Sequence, residues 1–126
     1  MAEVTATLAL GRYFTEEGTH PYDMLTWGKR DAQIMNPMTG KVVFEQKGVE
    51  FPEDWSLNAI NIVAQKYFWG TPGTAERESS LRQLVDRVAD TITKYGYEQG
   101  YFVDEAEADA YNDELKYILA TQRASF

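Results

Sequence analysis

Between Leu81 and Tyr95 apolar residues fall at three- and four-residue steps: Leu81, Leu84, Val85, Val88, Ala89, Ile92 and Tyr95. Arg82, Asp86, Arg87, Asp90 and Thr93 take largely the other faces, so the period is that of an amphipathic helix with one stripe turned inward. Thr74 is its candidate N-cap, with Glu76 and Glu78 placed favourably against the helix dipole, and Gly96 is placed to stop it in a left-handed conformation. Gly100 follows within the 97–102 connection. A later helix begins at Asp104, which forms a capping-box-like pair with Glu107, and carries Ala108, Tyr111, Leu115, Ile118 and Leu119 inward. An earlier one is capped by Asp54 or Ser56, turns Ala59, Ile60, Val63, Ala64 and Tyr67 inward, and ends before Gly70. The segment Gly70-Thr71-Pro72-Gly73 cannot continue a helix and reads as an interhelical turn; it precedes a helix as a phosphate loop does, but no P-loop lysine follows.

Upstream the pattern changes. Residues 32–35 and 41–46 flank Asn36-Pro37-Met38-Thr39-Gly40, where proline presets a turn and glycine supplies a positive φ, with β-branched Val42 and Val43 on the return. This is a β-hairpin, and Gly48 and Pro52 interrupt any further strand. The first thirty residues have no clear period and are expected to wrap the helices through Tyr13, Phe14, Tyr22 and Trp27. The predicted class is therefore mainly α with a small β-hairpin (α+β): an N-terminal extended arm and hairpin, then about three packed helices, with residues 1–126 as a single domain. No internal repeat or low-complexity segment is evident.

Composition narrows the function. With 44% hydrophobic and 13% aromatic residues the chain can pack an ordinary core. The apolar runs are too short to span a bilayer, and the stretch 4–10 lacks the basic flank of a secretory signal, so a cytoplasmic protein without a membrane segment is expected. A net charge of −8 disfavours nucleic acid, whose phosphates demand clustered Lys and Arg. The acidity is concentrated at Glu98, Asp104, Glu105, Glu107, Asp109, Asp113 and Glu114, with no basic residue between the first and the last, and reads as a solvated face.

Candidate chemistry is sparse. His20 is the one histidine and there is no cysteine, so a zinc site lacks its usual donors and no metal site is assigned. Beside Pro21, the imidazole is expected to hydrogen-bond backbone or face a partner. Without a nucleophile motif or a second histidine, no catalytic residue is assigned. Tyr67, Phe68 and Trp69 stand in succession and cannot share one helix face, so at least one lies outside the core; Trp69 is an interface candidate, as is Phe126.

Several blocks stand in register along the chain: Arg12-Tyr13-Phe14-Thr15-Glu16-Glu17-Gly18-Thr19-His20-Pro21-Tyr22-Asp23, Trp27-Gly28-Lys29-Arg30-Asp31-Ala32, and Phe44-Glu45-Gln46-Lys47-Gly48-Val49-Glu50-Phe51-Pro52. Trp55-Ser56-Leu57-Asn58-Ala59, Asn61-Ile62-Val63-Ala64, Gly100-Tyr101-Phe102, Asp113-Glu114-Leu115 and Gln122-Arg123-Ala124-Ser125-Phe126 complete the series. In these blocks the chain resembles the N-terminal domain of adenosylcobalamin-dependent (class II) ribonucleotide reductases over nearly its whole length.

The resemblance implies a non-catalytic structural domain or subunit of an oxidoreductase that makes deoxyribonucleotides for DNA replication. Its partner would be a ten-stranded α/β barrel, the catalytic domain or subunit, holding the radical cysteine and the reducing cysteine pair. Because that chemistry needs cysteine, this chain alone is expected to be inactive, and cobalamin, nucleotide and effector contacts are expected mainly in the later region. The domain would scaffold the barrel or form subunit contacts, an oligomer included. A rival resemblance comes from Lys29-Arg30-Asp31 running into a hairpin and then helices, as in the nucleotide-binding ATP-cone module of many reductases. Lys29 and Arg30 would then grip a triphosphate, although Ala32 stands where the cone usually has glycine. The alternative pairs both cations with Asp31, Glu45 or Glu50 across the hairpin.

Overall fold

The computed structural model describes residues 11–124; the 4–10 stretch, Ser125 and the interface candidate Phe126 lie outside the described residues. It contains a two-stranded antiparallel ribbon, β1 (Trp27–Met35) and β2 (Val42–Pro52), and three helices, α1 (Leu57–Lys66), α2 (Leu81–Glu98) and α3 (Glu105–Ala120). A short 3₁₀ turn covers Pro21–Met24. The small α+β class expected from the sequence is the one observed. Two compact units divide the chain: residues 25–84, the hairpin unit, and residues 1–24 with 85–126, the helical unit. The boundary falls inside α2, after its first turn.

In the hairpin unit the expected turn is present. Asn36 Oδ1 accepts from the Met38 N–H, the Gly40 N–H returns to the Asn36 carbonyl, and Gly40 has φ +70°. The strands are longer than expected, and Gly48 and Pro52 do not interrupt β2. Pairing runs from Met35↔Val42 to Trp27↔Pro52, and Lys47 and Gly48 bulge opposite Asp31. Gly48, at φ +69°, makes that bulge, and the Asp31 carboxylate accepts its N–H at 2.9 Å in place of a ladder bond. Alternate β2 residues then turn inward: Val49 and Phe51 are buried, with Phe51 stacked on Phe68 at 5.6 Å and tilted against Trp55 at 5.2 Å. Of the two offered caps, Ser56 serves, its side chain accepting from the Ala59 N–H. Helix α1 buries Ile60, Val63 and Ala64, whereas Tyr67, expected inward, is the exposed C-cap residue and Phe68 takes the core position.

Thr74 does not start the second helix. Its hydroxyl donates to the Thr71 carbonyl in a run of turns, and α2 begins only at Leu81. The cap is a Ser80–Gln83 box: Ser80 Oγ accepts from the Arg82 N–H, and Gln83 Oε1 accepts from the Ser79 and Ser80 N–H groups. The reason lies in tertiary contacts. Glu78 is buried with its carboxylate on the Trp69 N–H at 2.7 Å, which holds residues 70–78 out of a helix. Gly70 sits at φ +95°, and a Cβ there would come 2.6 Å from the Glu76 carbonyl oxygen, so the chain doubles back where no side chain fits.

In the helical unit the expected stop at Gly96 is corrected. Gly96 is a buried helical residue, where a Cβ would meet the Phe102 ring at 2.9 Å. The helix closes at Gly100, φ +76°, in a Schellman turn: the Gly100 N–H returns to the Tyr97 carbonyl and the Tyr101 N–H to that of Gly96. Of the expected stripe, Val85 and Ala89 are buried, but Ile92 and Tyr95 are exposed. Asp104 caps α3 by accepting from the Glu107 N–H. Ala108 and Leu119 are buried as expected, Tyr111, Leu115 and Ile118 only half-buried, and Lys116 is buried among them. The arm reaches α3 through Phe14, stacked on Tyr117 at 5.3 Å, and Tyr22 is buried; Tyr13 points outward and Trp27 belongs to β1 of the other unit. Among the described residues no helix is long and apolar enough to cross a membrane.

Candidate functional site

The hairpin unit's central polar feature is Arg77. Its guanidinium donates to the carbonyls of Phe68 at 2.6 Å, Gly70 at 2.9 Å and Ala64, and to Gln46 Oε1 at 3.1 Å. Those carbonyls are the open end of α1 and the loop beyond it, so one planar fork satisfies acceptors that the helix terminus leaves over. Burial lowers the Arg77 pKa from its ordinary value, against the opposing charge of Glu78. At the start of α2, Arg82 donates to Glu50 at 3.0 Å and lies 4.3 Å over the Trp27 ring, and Glu50 also accepts from the Ser80 hydroxyl.

The helical unit carries two carboxylate constellations. Glu114 accepts the backbone N–H groups of Tyr13, Phe14 and Thr15, the last two at 2.8 Å, and Arg12 pairs with Asp113 at 2.8 Å. Three successive amides closing on one carboxylate bind the arm to α3 as an anion is bound in a backbone nest. Burial alone would raise the Glu114 pKa, but the hydrogen bonds from Thr15, Phe14 and Tyr13 hold it below the ordinary glutamate value. Behind it, Lys116 lies 3.2 Å from Asp86 and 3.0 Å from Asp90, Tyr22 donates its hydroxyl to Asp86 at 2.7 Å, and Asn112 donates to Asp90 at 2.9 Å. Burial would lower Lys116, yet the hydrogen bonds and charges of Asp90 and Asp86 raise it. Asp90, which burial would raise, is held low by Asn112, Lys116 and, more weakly, His20.

Arg77 and Glu114 are satisfied by neutral backbone groups and Lys116 by Asp86 and Asp90; none of them pairs a nucleophile with a base. His20 Nδ1 accepts the Tyr22 N–H at 3.1 Å, a backbone bond of the expected kind. Among the described residues no group of three His, Cys, Asp or Glu is arranged to hold a metal ion. Lys29 and Arg30 are adjacent on β1 and so point to opposite faces of the ribbon. Arg30 donates to the Trp55 carbonyl at 2.8 Å, while Lys29 stands opposite Glu50, whose carboxylate already serves Arg82. The ribbon thus does not bring the two cations together as a phosphate grip. Trp69 is 59% exposed although its N–H is fixed by Glu78. A groove of about 750 Å³ is walled by Asp90, Glu98, Glu105 and Asp109, with Lys94 as its cation. Such a surface repels a nucleotide's phosphates and equally the phosphodiester of cobalamin, so the groove fits neither.

Sequence reasoning missed Arg77, Glu114 and Lys116. Lys116 alone carried a signal, standing eight residues after Ala108 and three before Leu119 on the inward stripe of α3.

Comparison with known proteins supplies what the geometry does not. Residues 29–122 match the family model of class II vitamin B12-dependent ribonucleotide reductase, N-terminal part. The vitamin B12-dependent ribonucleotide reductase of Streptomyces clavuligerus is 47% identical over 124 residues, 98% of this chain but 13% of the relative. That of Streptomyces avermitilis is 49% identical over 94% of the chain and 12% of the relative, and that of Rhodopirellula baltica 35% identical over 91% and 11%. The chain thus spans about an eighth of the length of the curated relatives it matches. With the match running through the hairpin, Arg77 and both carboxylate clusters, this chain belongs to the class II, vitamin B12-dependent ribonucleotide reductase family, in its N-terminal part.

Proposed function

We propose that this chain is the N-terminal, non-catalytic structural domain of an adenosylcobalamin-dependent ribonucleotide reductase, a cytoplasmic enzyme that supplies deoxyribonucleotides for DNA synthesis. Residues 1–126 act in it as one domain, whose partner is the cysteine-bearing catalytic barrel. The observation that carries this reading is the extensive identity to such reductases in a chain without a single cysteine. Adenosylcobalamin, when bound to the complete enzyme, supplies the radical. This chain's residues supply structural support, with Trp69 an exposed aromatic available for contact.

The test is a reductase assay with adenosylcobalamin, a dithiol and each ribonucleotide. The chain alone is expected to give no deoxynucleotide. A chimera in which it replaces the matched segment of the Streptomyces clavuligerus reductase is expected to retain turnover, while the same enzyme with that segment deleted loses it. Turnover by the chain alone, or full activity of the deleted enzyme, overturns the proposal. Calorimetry of the chain with ATP and dATP is expected to show no saturable heat; binding abolished by Lys29→Ala with Arg30→Ala would make it a nucleotide sensor instead.

A further inference from the structure

The amphipathic stripe of α2 is longer than the surface its own unit covers. Val85 and Ala89 are fully buried, yet Ile92 and Tyr95, continuing the same three- and four-residue steps, are 44% and 58% exposed. The Schellman turn at Gly100 brings Tyr101, 45% exposed, beside them. Ile92, Tyr95 and Tyr101 line an apolar groove of about 160 Å³ over Gly96, Phe102 and Tyr111. Its floor is rigid: Phe102 is buried, packs on Tyr111 at 5.2 Å, and fits against α2 only because residue 96 has no Cβ. A stripe with helical period specifies burial, and large aromatics held open around a firm floor are what the centres of protein interfaces present.

Resting on the function proposed above, we infer that this groove at the C-terminal end of α2 is where the remaining part of the reductase polypeptide docks. That occupant is favoured by proportion: nearly all of this chain aligns to relatives of which it makes up 12–13%, so most of the family's protein lies beyond these residues. The docking segment inserts apolar side chains between Tyr95 and Tyr101. Of the carboxylates between Glu98 and Glu114, Glu98, Asp104, Glu105 and Asp109 are exposed and no basic residue stands among them, so the segment's flanks are basic.

Hydroxyl-radical footprinting compares the chain alone with the Streptomyces clavuligerus chimera. Oxidation of Tyr95 and Tyr101 is expected to fall about tenfold in the chimera, as burial at an interface centre demands. In a second arm the chain carrying Ile92→Asp and Tyr95→Asp is titrated into the segment-deleted reductase. It is expected to keep the helicity and melting temperature of the unaltered chain and to bind about tenfold more weakly. Equal oxidation in both proteins, or unchanged affinity of the variant, overturns the docking site while leaving the chain a reductase domain. Protection that grows with the concentration of the chain alone assigns the groove to a second copy and also overturns it. An inactive chimera together with no binding defeats both proposals at once.

Discussion

Arg77 in the hairpin unit and Lys116 in the helical unit are both cations drawn out of solvent, but they are satisfied by different acceptors. Arg77 is held by three neutral backbone carbonyls and a glutamine, none of which titrates, and an arginine stays charged across the usable pH range. Lys116 is held by Asp86 and Asp90, and its neighbour Glu114 holds the arm as a carboxylate. The same chain thus contains one unit whose half-buried central cation is indifferent to pH and one whose central polar contacts depend on it. The three tryptophans, Trp27, Trp55 and Trp69, all lie in residues 25–84, so tryptophan emission reports the hairpin unit, and amide exchange along α3 reports the helical one.

The largest expected effect falls in the hairpin core. Phe51 is 1% exposed and touches both Trp55 and Phe68, so Phe51→Ala removes two ring contacts and leaves a cavity between β2 and α1. A loss of about 3–5 kcal/mol is expected, read from denaturant unfolding by tryptophan emission, and of equal size at neutral pH and at the acid and alkaline pH where the helical unit's contacts are lost. A strongly pH-dependent loss would erase the contrast between the units.

Next comes Lys116→Met, which keeps the stem and removes the charge. Asp86 and Asp90 would be left facing each other with only Tyr22 and Asn112 as donors. Both carboxylates are half open to water, so the cost stays below that of a fully buried pair, at about 2 kcal/mol. The sign of the pH dependence follows from the raised lysine. Its contribution is fully present below the ordinary value of 10.5 and is lost as pH rises through the folded value. In α3 exchange this alkaline loss should be present in the parent chain and absent from Lys116→Met.

Glu114→Gln probes the acid side with a smaller effect, about 1–2 kcal/mol, because an amide oxygen still accepts from the arm but without charge. The Glu114 carboxyl is depressed in the folded chain. Its stabilisation is therefore present above the ordinary value of 4.5 and is lost as pH falls through the folded value. Protection of the Phe14 and Thr15 amides should collapse under acid in the parent and be weak but flat with pH in the variant. Unaltered acid sensitivity in Glu114→Gln would move the switch to Asp90.

The elements that sequence revealed are those decided locally. Asp104 as the cap of α3, Ser56 as one of the two caps offered for α1, and the Asn36–Gly40 turn each need only neighbours within a few residues, and each is found, although the Glu107 side chain does not return a bond to complete a box with Asp104. The misreadings share another cause. Thr74 lost α2 to Ser80 because Glu78 is committed to the Trp69 amide, and Gly96 stays helical because the Phe102 ring occupies the space a Cβ would take. Ile92 and Tyr95 continue the apolar stripe but, against the inward expectation, are exposed, since period specifies a face and not what covers it. Arg77, Glu114 and Lys116 escaped because a charge in a polar pattern looks solvated until its distant partners are known; Glu114 meets the arm a hundred residues away in sequence.

The smallest effect tests the end of α3, where the helical unit meets its C-terminal turn. The Gln122 N–H returns to the Leu119 carbonyl and the Arg123 N–H to that of Ile118, the same Schellman pattern that closes α2. Helix α2 uses glycine at the left-handed position, whereas α3 uses Gln122 at φ +60°. A side chain there carries strain that glycine lacks, partly offset by the greater freedom glycine has in the unfolded chain. Gln122→Gly is therefore expected to stabilise α3 by about 0.5 kcal/mol, seen as slower exchange of the Thr121 and Arg123 amides with tryptophan emission unmoved. Because Arg123 lies over the Phe14 and Tyr117 rings at 5.0 and 5.9 Å, a firmer turn should also slow exchange in the arm. Faster exchange at Arg123 in the glycine variant would mean that the glutamine side chain, and not the backbone turn, holds that end.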